Sequence, residues 1–524
     1  MLKKMLTLLF LLTCSLVGAQ NPVVTVSADI STNTTWSSDT TYLLSGYRFV
    51  RDGATLTIQP GTTIRGDKAS KGTLIITRTG KIFARGNDSM PIVFTSNEPR
   101  GQRSYGDWGG IVILGNAPIN VPGGTAIIEG GLLGQDAIYG GNNSDDSSGV
   151  LSYVRIEYPG IAYQPNSEIN GLTMGGVGRK TQIDHIQVSY SGDDAFEWFG
   201  GSVNCKYLIS HRGWDDDFDT DFGYSGKVQF ALSMRDPNIA DQSQSNGFES
   251  DNDGTGTSNL PFTSPVFSNV TIIGPKENGT PATLYRRAMH LRRNTRTSIY
   301  NSLFTGYPTG IHIDGQAAQL NANNDSLQLE QVILCNMTNN FEQTSGQNTW
   351  QGMPSYFWDS TRHNQLIDST FRLGLGQGYA NLSNPNLLPD SGSLLLNGAR
   401  FVNPRLGGGF FDTVSYIGAF GQVDWTQGWS NFSPDTLNTS VEVVNRFVTK
   451  VYPNPVTQGL FSIGVETTPL DIRVFDLSGR EVQSSWSSIS QDNIRVVLDS
   501  NQKGVMSVVI QDKLATRVSR IIVR

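Results

Sequence analysis

Short apolar strands recur along this chain at a nearly constant spacing. Thr55–Ile58 (TLTI), Thr73–Ile76 (TLII) and Pro91–Phe94 (PIVF) follow one another at steps of eighteen residues. Farther along, the step from Ala288–Leu291 (AMHL) to Gly310–Ile313 (GIHI) is twenty-two residues. A repeat of about 18 to 25 residues with several strands per turn predicts a parallel β-helix. Its strands pair only with the coils above and below, and the inward side chains stack into one continuous core.

The ends of such a coil need covers, because unpaired edge strands invite association with other chains. The repeats run from about Asp29 to Phe432. We therefore expect a cap from the segment before Val50 and a second cap from the aromatic-rich stretch Tyr416–Phe432. A seven-bladed propeller is the competing all-β fold, but the sequence lacks the period near 40 residues that its blades require.

The end of the chain has a different pattern, with short alternating strands separated by turn pairs. It opens with Tyr452-Pro453-Asn454-Pro455, continues through the hairpin sequence Val474–Arg480 (VFDLSGR) and closes on an apolar and basic strand. Such a pattern predicts a small antiparallel β-sandwich of the immunoglobulin-like kind. This segment resembles the type A C-terminal sorting domain of the type IX secretion system of Bacteroidetes. The resemblance implies export, with the type IX machinery as a partner through residues 449–524.

The start of the chain agrees with export. Lys3 and Lys4 precede the apolar run Met5–Val17, and small residues up to Ala19 supply a cleavage site before Gln20. This run is too short for a stable membrane-spanning helix, so we predict a signal peptide at residues 1–19. A lipoprotein is the alternative, and it is disfavoured because no small residue stands just before the cysteine of the run. We expect a protein at the outer cell surface or in the medium, reached through the periplasm.

The predicted domains are the signal peptide, a capped β-helix at 20–432, a linker at 433–448 and the sorting domain at 449–524. The net charge of −7 provides no basic surface for nucleic acid. Only Cys205 and Cys335 remain after signal removal, and we expect two buried thiols. No transmembrane segment is predicted in the mature chain, which we expect to be a monomer.

Three motifs connect the coil to a known fold family. They are Gly106–Gly110 (GDWGG), Gly213–Asp219 (GWDDDFD) and Asn246–Asp251 (NGFESD). With its repeats, the region resembles the right-handed parallel β-helix proteins of the pectate-lyase type, and more narrowly an uncharacterised group of type IX cargo proteins. The broader family implies polysaccharide lyases and hydrolases but also adhesins, so the fold alone does not assign an activity.

Successive coils repeat one bulky apolar residue followed by one ionisable residue. Because neighbouring side chains of a strand point to opposite faces, the apolar members fill the core only if the ionisable members point outward. Two residues later, a second set takes the same face. The sequence therefore predicts two outward columns. The first column is Glu197, Asp219, Glu249, His290 and His312, and the second is Asp221, Asp251, Arg292 and Asp314.

The columns offer two carboxylate spacings. Asp219 and Glu249 on successive coils are expected about 5 Å apart, whereas Glu249 and Asp251 on one strand are expected about 6.7 Å apart. The first spacing suits a retaining glycosidase and the second an inverting one, and the sequence leaves both open. Stacked carboxylates repel, so one should keep its proton to raised pH unless a cation lies between them.

Calcium is the predicted cation, because hard cations prefer oxygen ligands. Asp217-x-Asp219-x-Asp221 and Glu249-x-Asp251-x-Asp253 resemble the start of a calcium loop, but neither continues as an EF-hand. The candidate metal ligands are Glu197, Asp217, Asp219, Asp221, Glu249, Asp251 and Asp253.

The candidate catalytic residues combine acids with basic partners. They are Asp219, Glu249, Asp251, His290 and Arg292. In a lyase, Arg292 would abstract the proton or bind the sugar, as the resemblance to β-helix lyases implies, while calcium neutralises the uronate. In a hydrolase, two carboxylates would act as acid and base. His290 and His312 could join either scheme or bind a transition metal.

Simpler structural roles compete with each of these. Turn acids such as Asp194 and Asp216 commonly accept backbone N–H groups, and outward acids beside arginines form solvated ion pairs. Trp198, Trp214 and Tyr224 are candidates for stacking on sugar rings, while Trp108, Trp425 and Trp429 are assigned to core or cap. The leading hypothesis is a surface protein that binds, and in one version cleaves, extracellular polysaccharide. The alternative is a non-catalytic adhesin or structural protein with calcium-stabilised turns.

Overall fold

The computed structural model describes residues 21–164, 167–342 and 350–435, and then 451–464, 471–476, 480–490, 493–498, 503–511 and 516–524. The chain divides into two compact units after Asp435. The predicted signal peptide and nearly all of the predicted linker lie outside the described residues, so the boundaries at 19, 432 and 449 stay predictions.

The first unit consists of short strands with few helices. Its first half contains β1 (Val23–Val26), β2 (Thr34–Trp36), β3 (Thr41–Leu44), β4 (Tyr47–Val50), β5 (Thr55–Ile58), β6 (Thr63–Gly66), β7 (Thr73–Ile76), β8 (Lys81–Arg85), β9 (Ile92–Ser96), β10 (Gly110–Leu114), β11 (Ala126–Ile127), β12 (Ile138–Tyr139), β13 (Gly149–Glu157), β14 (Ala162–Gln164), β15 (Ser167–Glu168), β16 (Leu172–Gly175) and β17 (Gln182–Ser189). Its second half contains β18 (Phe196–Phe199), β19 (Asn204–His211), β20 (Phe218–Asp221), β21 (Lys227–Met234), β22 (Phe248–Ser250), β23 (Val266–Ile273), β24 (Arg287–Leu291), β25 (Ser298–Thr305), β26 (Thr309–Ile313), β27 (Leu329–Cys335), β28 (Asn339–Phe341) and β29 (Gln365–Ile367), with helices α1 (Gln316–Asn323) and α2 (Met353–Phe357).

Two long parallel sheets form this unit, which confirms the predicted β-helix. Sheet A runs β1-β3-β6-β9-β13-β17-β19-β21-β23-β25-β27-β29, and β2, β5 and β8 join it through β13. Sheet B runs β28-β26-β24-β22-β20-β18-β16-β10-β7-β4. In both sheets, most neighbouring strands are separated in the sequence by one strand of the other sheet. This is expected when each coil contributes one strand to each sheet.

A left-handed residue bends the long strands of sheet A. Tyr153, His185, Tyr207 and Phe230 have φ between 51° and 61°. On either side of Tyr153, β13 pairs with two separate strands, β8 and β9. Each long strand therefore contributes to two walls, and sheet B is the third. The four rings stack along this corner, with centroid distances of 4.1, 4.4 and 5.0 Å.

The core is a continuous apolar column inside the three walls. Phe196, Phe218 and Phe248 are fully buried, with centroid distances of 5.7 and 5.2 Å between successive rings. Met289 and Ile311 continue the column and are also fully buried. The apolar member of each predicted dipeptide therefore points inward, as the sequence pattern requires. Cys205 and Cys335 are free and buried, which confirms the prediction of separate thiols.

The predicted cap Tyr416–Phe432 covers the side of the coil and not its end. Ala419, Phe420 and Trp429 pack on apolar residues that point outward from sheet A, such as Leu232. The backbone N–H of Asn431 donates to Gln187, far from the last coil. The prediction was wrong because an aromatic-rich segment indicates only that it packs on some apolar surface. Its composition does not say whether that surface is the end or the side of the coil. Helix α2 closes the coil instead, since Met353, Tyr356 and Phe357 belong to the central core.

The second unit is an antiparallel β-structure. Its strands are β30 (Val451–Thr457), β31 (Leu460–Gly464), β32 (Asp471–Asp476), β33 (Glu481–Val482), β34 (Ser484–Ser490), β35 (Asn493–Leu498), β36 (Gly504–Gln511) and β37 (Thr516–Val523). They form two antiparallel groups, joined where β30 pairs with β37, around a buried core that includes Phe461, Ile494 and Val508. No helix in the described part of the chain has the length and apolar character needed to cross a membrane.

Candidate functional site

Sheet B carries the two predicted columns in register. Cα pairing joins Glu197 to Asp219, Asp219 to Glu249, Glu249 to His290 and His290 to His312. The second column follows two residues later on the same strands or just beyond their ends. We call these nine residues the stripe, and their members are Glu197, Asp219, Asp221, Glu249, Asp251, His290, Arg292, His312 and Asp314.

The side chains at both ends of the stripe are buried, since Glu197 is 8% exposed and His312 is 6% exposed. Beside its first member, the insertion between β10 and β13 covers the outer face of sheet B at Ile75 and Val112. Asn170 contacts Glu197 there and also donates to Glu129 of the insertion. At the far end, Glu342 binds Arg287. Helix α1 packs into the coil, because Ala318 and Ala322 belong to its core.

Acidic groups dominate the first part of the stripe. Carboxylate oxygens of Asp194, Glu197 and Asp219 lie within 4.8 Å of one another, and those of Asp193, Asp194 and Asp215 form a second such group. Burial raises the pKa of Asp194, Glu197 and Asp219 well above the ordinary range, and neighbouring carboxylates raise it further. These groups therefore gain a proton or a cation more readily than ordinary acids.

The middle of the stripe is neutralised by arginine. Arg292 contacts Glu249, and its Nε donates to Asp251 over 2.8 Å. Arg293 adds a second contact of 2.8 Å to Asp251. Burial alone would raise the pKa of Glu249, but the contact with His290 and the charge of Arg292 hold it below its ordinary value. Burial outweighs the arginines at Asp251 and raises its pKa.

Two histidines and an aspartate form the last part. The rings of His290 and His312 are parallel within 4°, with centroids 5.2 Å apart. Asp314 lies 3.3 Å from Nε2 of His290 and 3.8 Å from Nε2 of His312. Burial lowers the pKa of His312 to about 4, so this ring is neutral at neutral pH. The pKa of Asp314 is lowered by its hydrogen bond to His290.

Two predicted metal ligands do not join the stripe. Asp217 lies inside the coil, fully buried, where it accepts hydrogen bonds from Ser210, Ser233 and Arg235. Asp253 accepts backbone and hydroxyl bonds from Thr255 and Thr257 in its own turn. Both lie in turns flanking a strand, where side-chain alternation no longer applies, so the predicted spacing of two residues was misleading.

The turn acids have the structural role that competed with metal binding. Asp194 accepts the backbone N–H of Asp216, and Asp216 accepts that of Asn246. Asn170 and Asn246, which sequence reasoning missed, occupy the same position two residues before an inward residue. This third column could have been found by aligning the repeats, and it supplies amide groups beside Glu197 and Glu249.

Only one of the predicted sugar-stacking aromatics is accessible. Trp198 and Tyr224 are fully buried and stack on each other inside the coil, at 5.3 Å. Trp198 lies two residues after Phe196, so strand alternation also places it inward. Trp214 is 38% exposed, in the turn that carries Asp215 and Asp216. Trp108 and Trp429 are fully buried, as expected for residues assigned to the core or to a cap.

Comparison with known proteins identifies both units. Residues 28–371 match the family model of the pectate-lyase-like β-helix domain, and residues 450–524 match that of the secretion system C-terminal sorting domain. The chain therefore belongs to the family of pectate-lyase-like β-helix proteins. Its C-terminal unit marks it as cargo of the type IX secretion system, exported to the cell surface or exterior.

The other comparisons add little. A search of the curated proteins returned no match. Among solved structures, the crystal structure of the Dettilon tailspike protein is 10% identical over 93% of this chain and 84% of that chain, with a TM-score of 0.22. A likeness at this level does not bear on activity.

Proposed function

We propose that this exported β-helix protein binds extracellular polysaccharide along the stripe. The observation that carries the proposal is the in-register row of ionisable side chains on one sheet, with the side chains at both ends of the row buried. Trp214, in the turn beside the acids, offers an exposed ring on which a sugar can stack. A long row of polar groups suits a polymer, because each coil can contact a further sugar unit.

Calcium is the proposed cofactor of the acidic part. Asp194, Glu197 and Asp219 would hold it, with Asp221 on the same face, since calcium takes six to eight oxygen ligands. The hydroxyl of Thr173 lies in register with Glu197, is buried and has no hydrogen-bond partner within the described residues. We do not extend the proposal to Glu249 and Asp251, because Arg292 and Arg293 already neutralise them. Calcium would remove the repulsion among these acids and attract an acidic sugar.

Hydrolysis is the reaction that we propose if the polymer is cleaved. Without calcium, Asp219 has a raised pKa and suits a general acid that protonates the leaving glycosidic oxygen, whereas calcium bound to Asp219 would displace that proton and prevent the step. Glu249, with its lowered pKa, suits the base that takes a proton from water or the nucleophile that attacks the sugar carbon. His290 and Arg292 position Glu249, and Arg292 also holds Asp251. A lyase is less favoured, because two carboxylates raise the pKa of Arg292 and oppose its use as a base.

The test is a glycan panel probed with the full-length exported protein, in calcium for retention and in chelator for product release. We expect the wild-type protein to bind an acidic polysaccharide and Asp219→Asn to bind it more weakly. Glu249→Gln should still bind the polysaccharide but should release no cleavage product. Asp368→Asn is the matched control, because Asp368 is exposed and paired with Arg372 outside the stripe. Equal retention by wild type and both stripe variants would overturn the proposal.

The second candidate is an adhesin or structural protein with calcium-stabilised turns. It is favoured by the turn acids Asp194 and Asp216, whose oxygens already bond backbone N–H groups and so connect successive coils. In this case chelation lowers the melting temperature steeply, while no member of the glycan panel is retained. Glu249→Gln then changes stability alone.

A further inference from the structure

We propose that His290, His312 and Asp314 form a binding site for a divalent transition metal of the zinc class. The site lies at the other end of the stripe from the acids around Asp219. It requires two neutral imidazoles and one carboxylate, a ligand set that selects such metals over calcium and magnesium.

The three ligand groups already converge. Strands β24 and β26 pair His290 with His312, and the two rings stack almost parallel. Both Nε2 atoms face the carboxylate of Asp314, at 3.3 and 3.8 Å, and the three ligand atoms all lie within 4.8 Å of one another. Zinc bonds of 2.0–2.1 Å place tetrahedral ligand atoms about 3.3 Å apart. Small side-chain rotations therefore suffice to bring the ligands onto a metal.

The outer ring nitrogens face carboxylates, the kind of group to which metal-bound histidines donate. Nδ1 of His290 lies 3.4 Å from Oε2 of Glu249, and Nδ1 of His312 lies 3.6 Å from Oε2 of Glu342. A histidine that binds metal through one nitrogen almost always directs the other to a carboxylate or carbonyl, which sets its tautomer and orientation. Each glutamate faces one ring and leaves that ring's Nε2 directed at Asp314.

Arginines hold these two glutamates in place. Arg292 contacts Glu249, and Arg287 binds Glu342 through Nε and a terminal nitrogen, at 2.5 and 2.9 Å. At Glu249, Arg292 takes Oε1 and leaves Oε2 facing His290, whereas Oε2 of Glu342 contacts both Nε of Arg287 and Nδ1 of His312. A ligand pair with its own supporting carboxylates, each fixed by a separate arginine, is the arrangement that a rigid metal site needs.

Hydrogen bonding within the cluster leaves polar atoms unsatisfied. Both rings are only 6% exposed, and among the described residues Nδ1 of His290, Nδ1 of His312 and Oδ1 of Asp314 are buried without a hydrogen-bond partner. Unpaired buried polar atoms are costly, so their concentration at one place calls for an explanation. A bound cation would engage Asp314 directly and strengthen both contacts from Nδ1 to the glutamates.

The site also leaves room for exchange with solvent. Three protein ligands fill three of the four tetrahedral positions, which is the arrangement of zinc sites that bind an exchangeable water. The Asp314 side chain is 21% exposed, so the fourth position can be reached from outside.

The experiment uses the full-length protein without an affinity tag, stripped by chelation and then supplied with excess calcium to fill the acidic site. Zinc binding is measured by calorimetry, and cobalt(II) is used as a coloured probe of coordination by visible absorption. We expect one zinc per chain and a cobalt spectrum of four-coordinate nitrogen and oxygen ligands. His290→Gln and His312→Gln should each abolish that spectrum, and Glu342→Gln should weaken zinc binding by about tenfold or more.

Controls separate metal binding from folding. His363→Gln removes an exposed histidine outside the stripe and should leave zinc binding unchanged. Asp314→Asn keeps the shape of the side chain, so its melting temperature in metal-free buffer should stay near that of wild type while the increase caused by zinc is lost. The proposal is overturned if wild type binds no zinc, or if the double variant His290→Gln, His312→Gln binds it with unchanged affinity and stoichiometry.

Discussion

Asp219 and Glu249 are paired on neighbouring coils of sheet B, and the pKa values of their carboxyl groups are displaced in opposite directions. Burial, and then the charge of Glu249 itself, raises the pKa of Asp219. At Glu249 the contacts with His290 and Arg292 outweigh burial and lower the pKa. Basic side chains compensate the charge of Glu249 but not that of Asp219. Removing the negative charge of Asp219 should therefore stabilise the fold more than removing that of Glu249.

The first prediction concerns removal of that charge. In chelator, Asp219→Asn should stabilise the fold by at least about 1.4 kcal/mol, the equivalent of one pKa unit, because a buried group repelled by its neighbours becomes neutral. Addition of calcium should stabilise the variant less than it stabilises wild type. Thermal unfolding with and without chelator measures both effects. Asp368→Asn, at an exposed ion pair, should change stability by less than about 0.5 kcal/mol, and a destabilised Asp219→Asn in chelator would contradict the argument.

The second prediction is a pH dependence without calcium. A carboxyl group whose pKa is higher in the folded state binds its proton more tightly there, so its stabilising effect is complete below the unfolded pKa and is lost as pH rises through the folded pKa. Burial raises the pKa of Asp215 from 3.8 to about 7, and the pKa values of Asp194 and Asp219 are also raised. The melting temperature should therefore fall between about pH 4 and pH 7.

Two comparisons check this pH dependence. Asp215→Asn should reduce the slope, and calcium should flatten it by replacing the bound protons. Carboxyls whose pKa is lowered, such as Asp314, lose their stabilising effect only as pH falls below the ordinary range and leave this interval unaffected. His312, whose pKa is lowered to about 4, opposes the fall, but the acids with raised pKa outnumber it. A melting temperature that rises steadily from pH 4 to pH 7 in chelator would show that other groups dominate.

The third prediction tests the buried ion pair inside the coil. Asp217 and Arg235 are both fully buried and lie 2.9 Å apart. Arg235→Met should destabilise the protein by about 3–5 kcal/mol, because it leaves an uncompensated buried charge. The double variant Asp217→Asn, Arg235→Met should recover part of that loss. Urea unfolding measures both, and equal stability of the single and double variants would mean that packing, and not charge, sets the cost.

The fourth prediction concerns the segment that covers sheet A. Trp429 is fully buried and packs edge-on against Tyr153 and His185 of the corner. Trp429→Ala should cost about 3–5 kcal/mol and should make residues 416–432 sensitive to limited proteolysis. Trp358→Ala is the matched control, since Trp358 is 53% exposed and should cost much less. Unchanged proteolysis of the Trp429 variant would mean that polar contacts alone hold the segment.

Much of the stripe could be predicted from the sequence because strand alternation is a local property. Once Phe218 and Phe248 are assigned to the core, Asp219 and Glu249 must point outward, whatever the rest of the fold does. The same rule would have placed Trp198 inside, two residues after Phe196. Repeat alignment could also have revealed the column of Asn170 and Asn246.

Other assignments depended on residues distant in the sequence. The orientation of Asp217 is set by Ser210 of β19 and by Arg235, which follows directly after β21. The division of the stripe into an acidic part and an arginine-neutralised part follows from Arg292, which reaches Glu249 and Asp251 on the neighbouring coil. No spacing rule contains this information.

By itself, the sequence determined the export signal of the C-terminal unit, the coiled sheets and the face on which the nine stripe residues lie, because these follow from motifs, repeat length and alternation along one strand. The tertiary structure alone decided which charges are compensated, which apolar surface the aromatic segment Tyr416–Phe432 covers, and that two histidines converge on Asp314. Those outcomes arise from contacts between coils, where burial and neighbouring charge set the energy of each group.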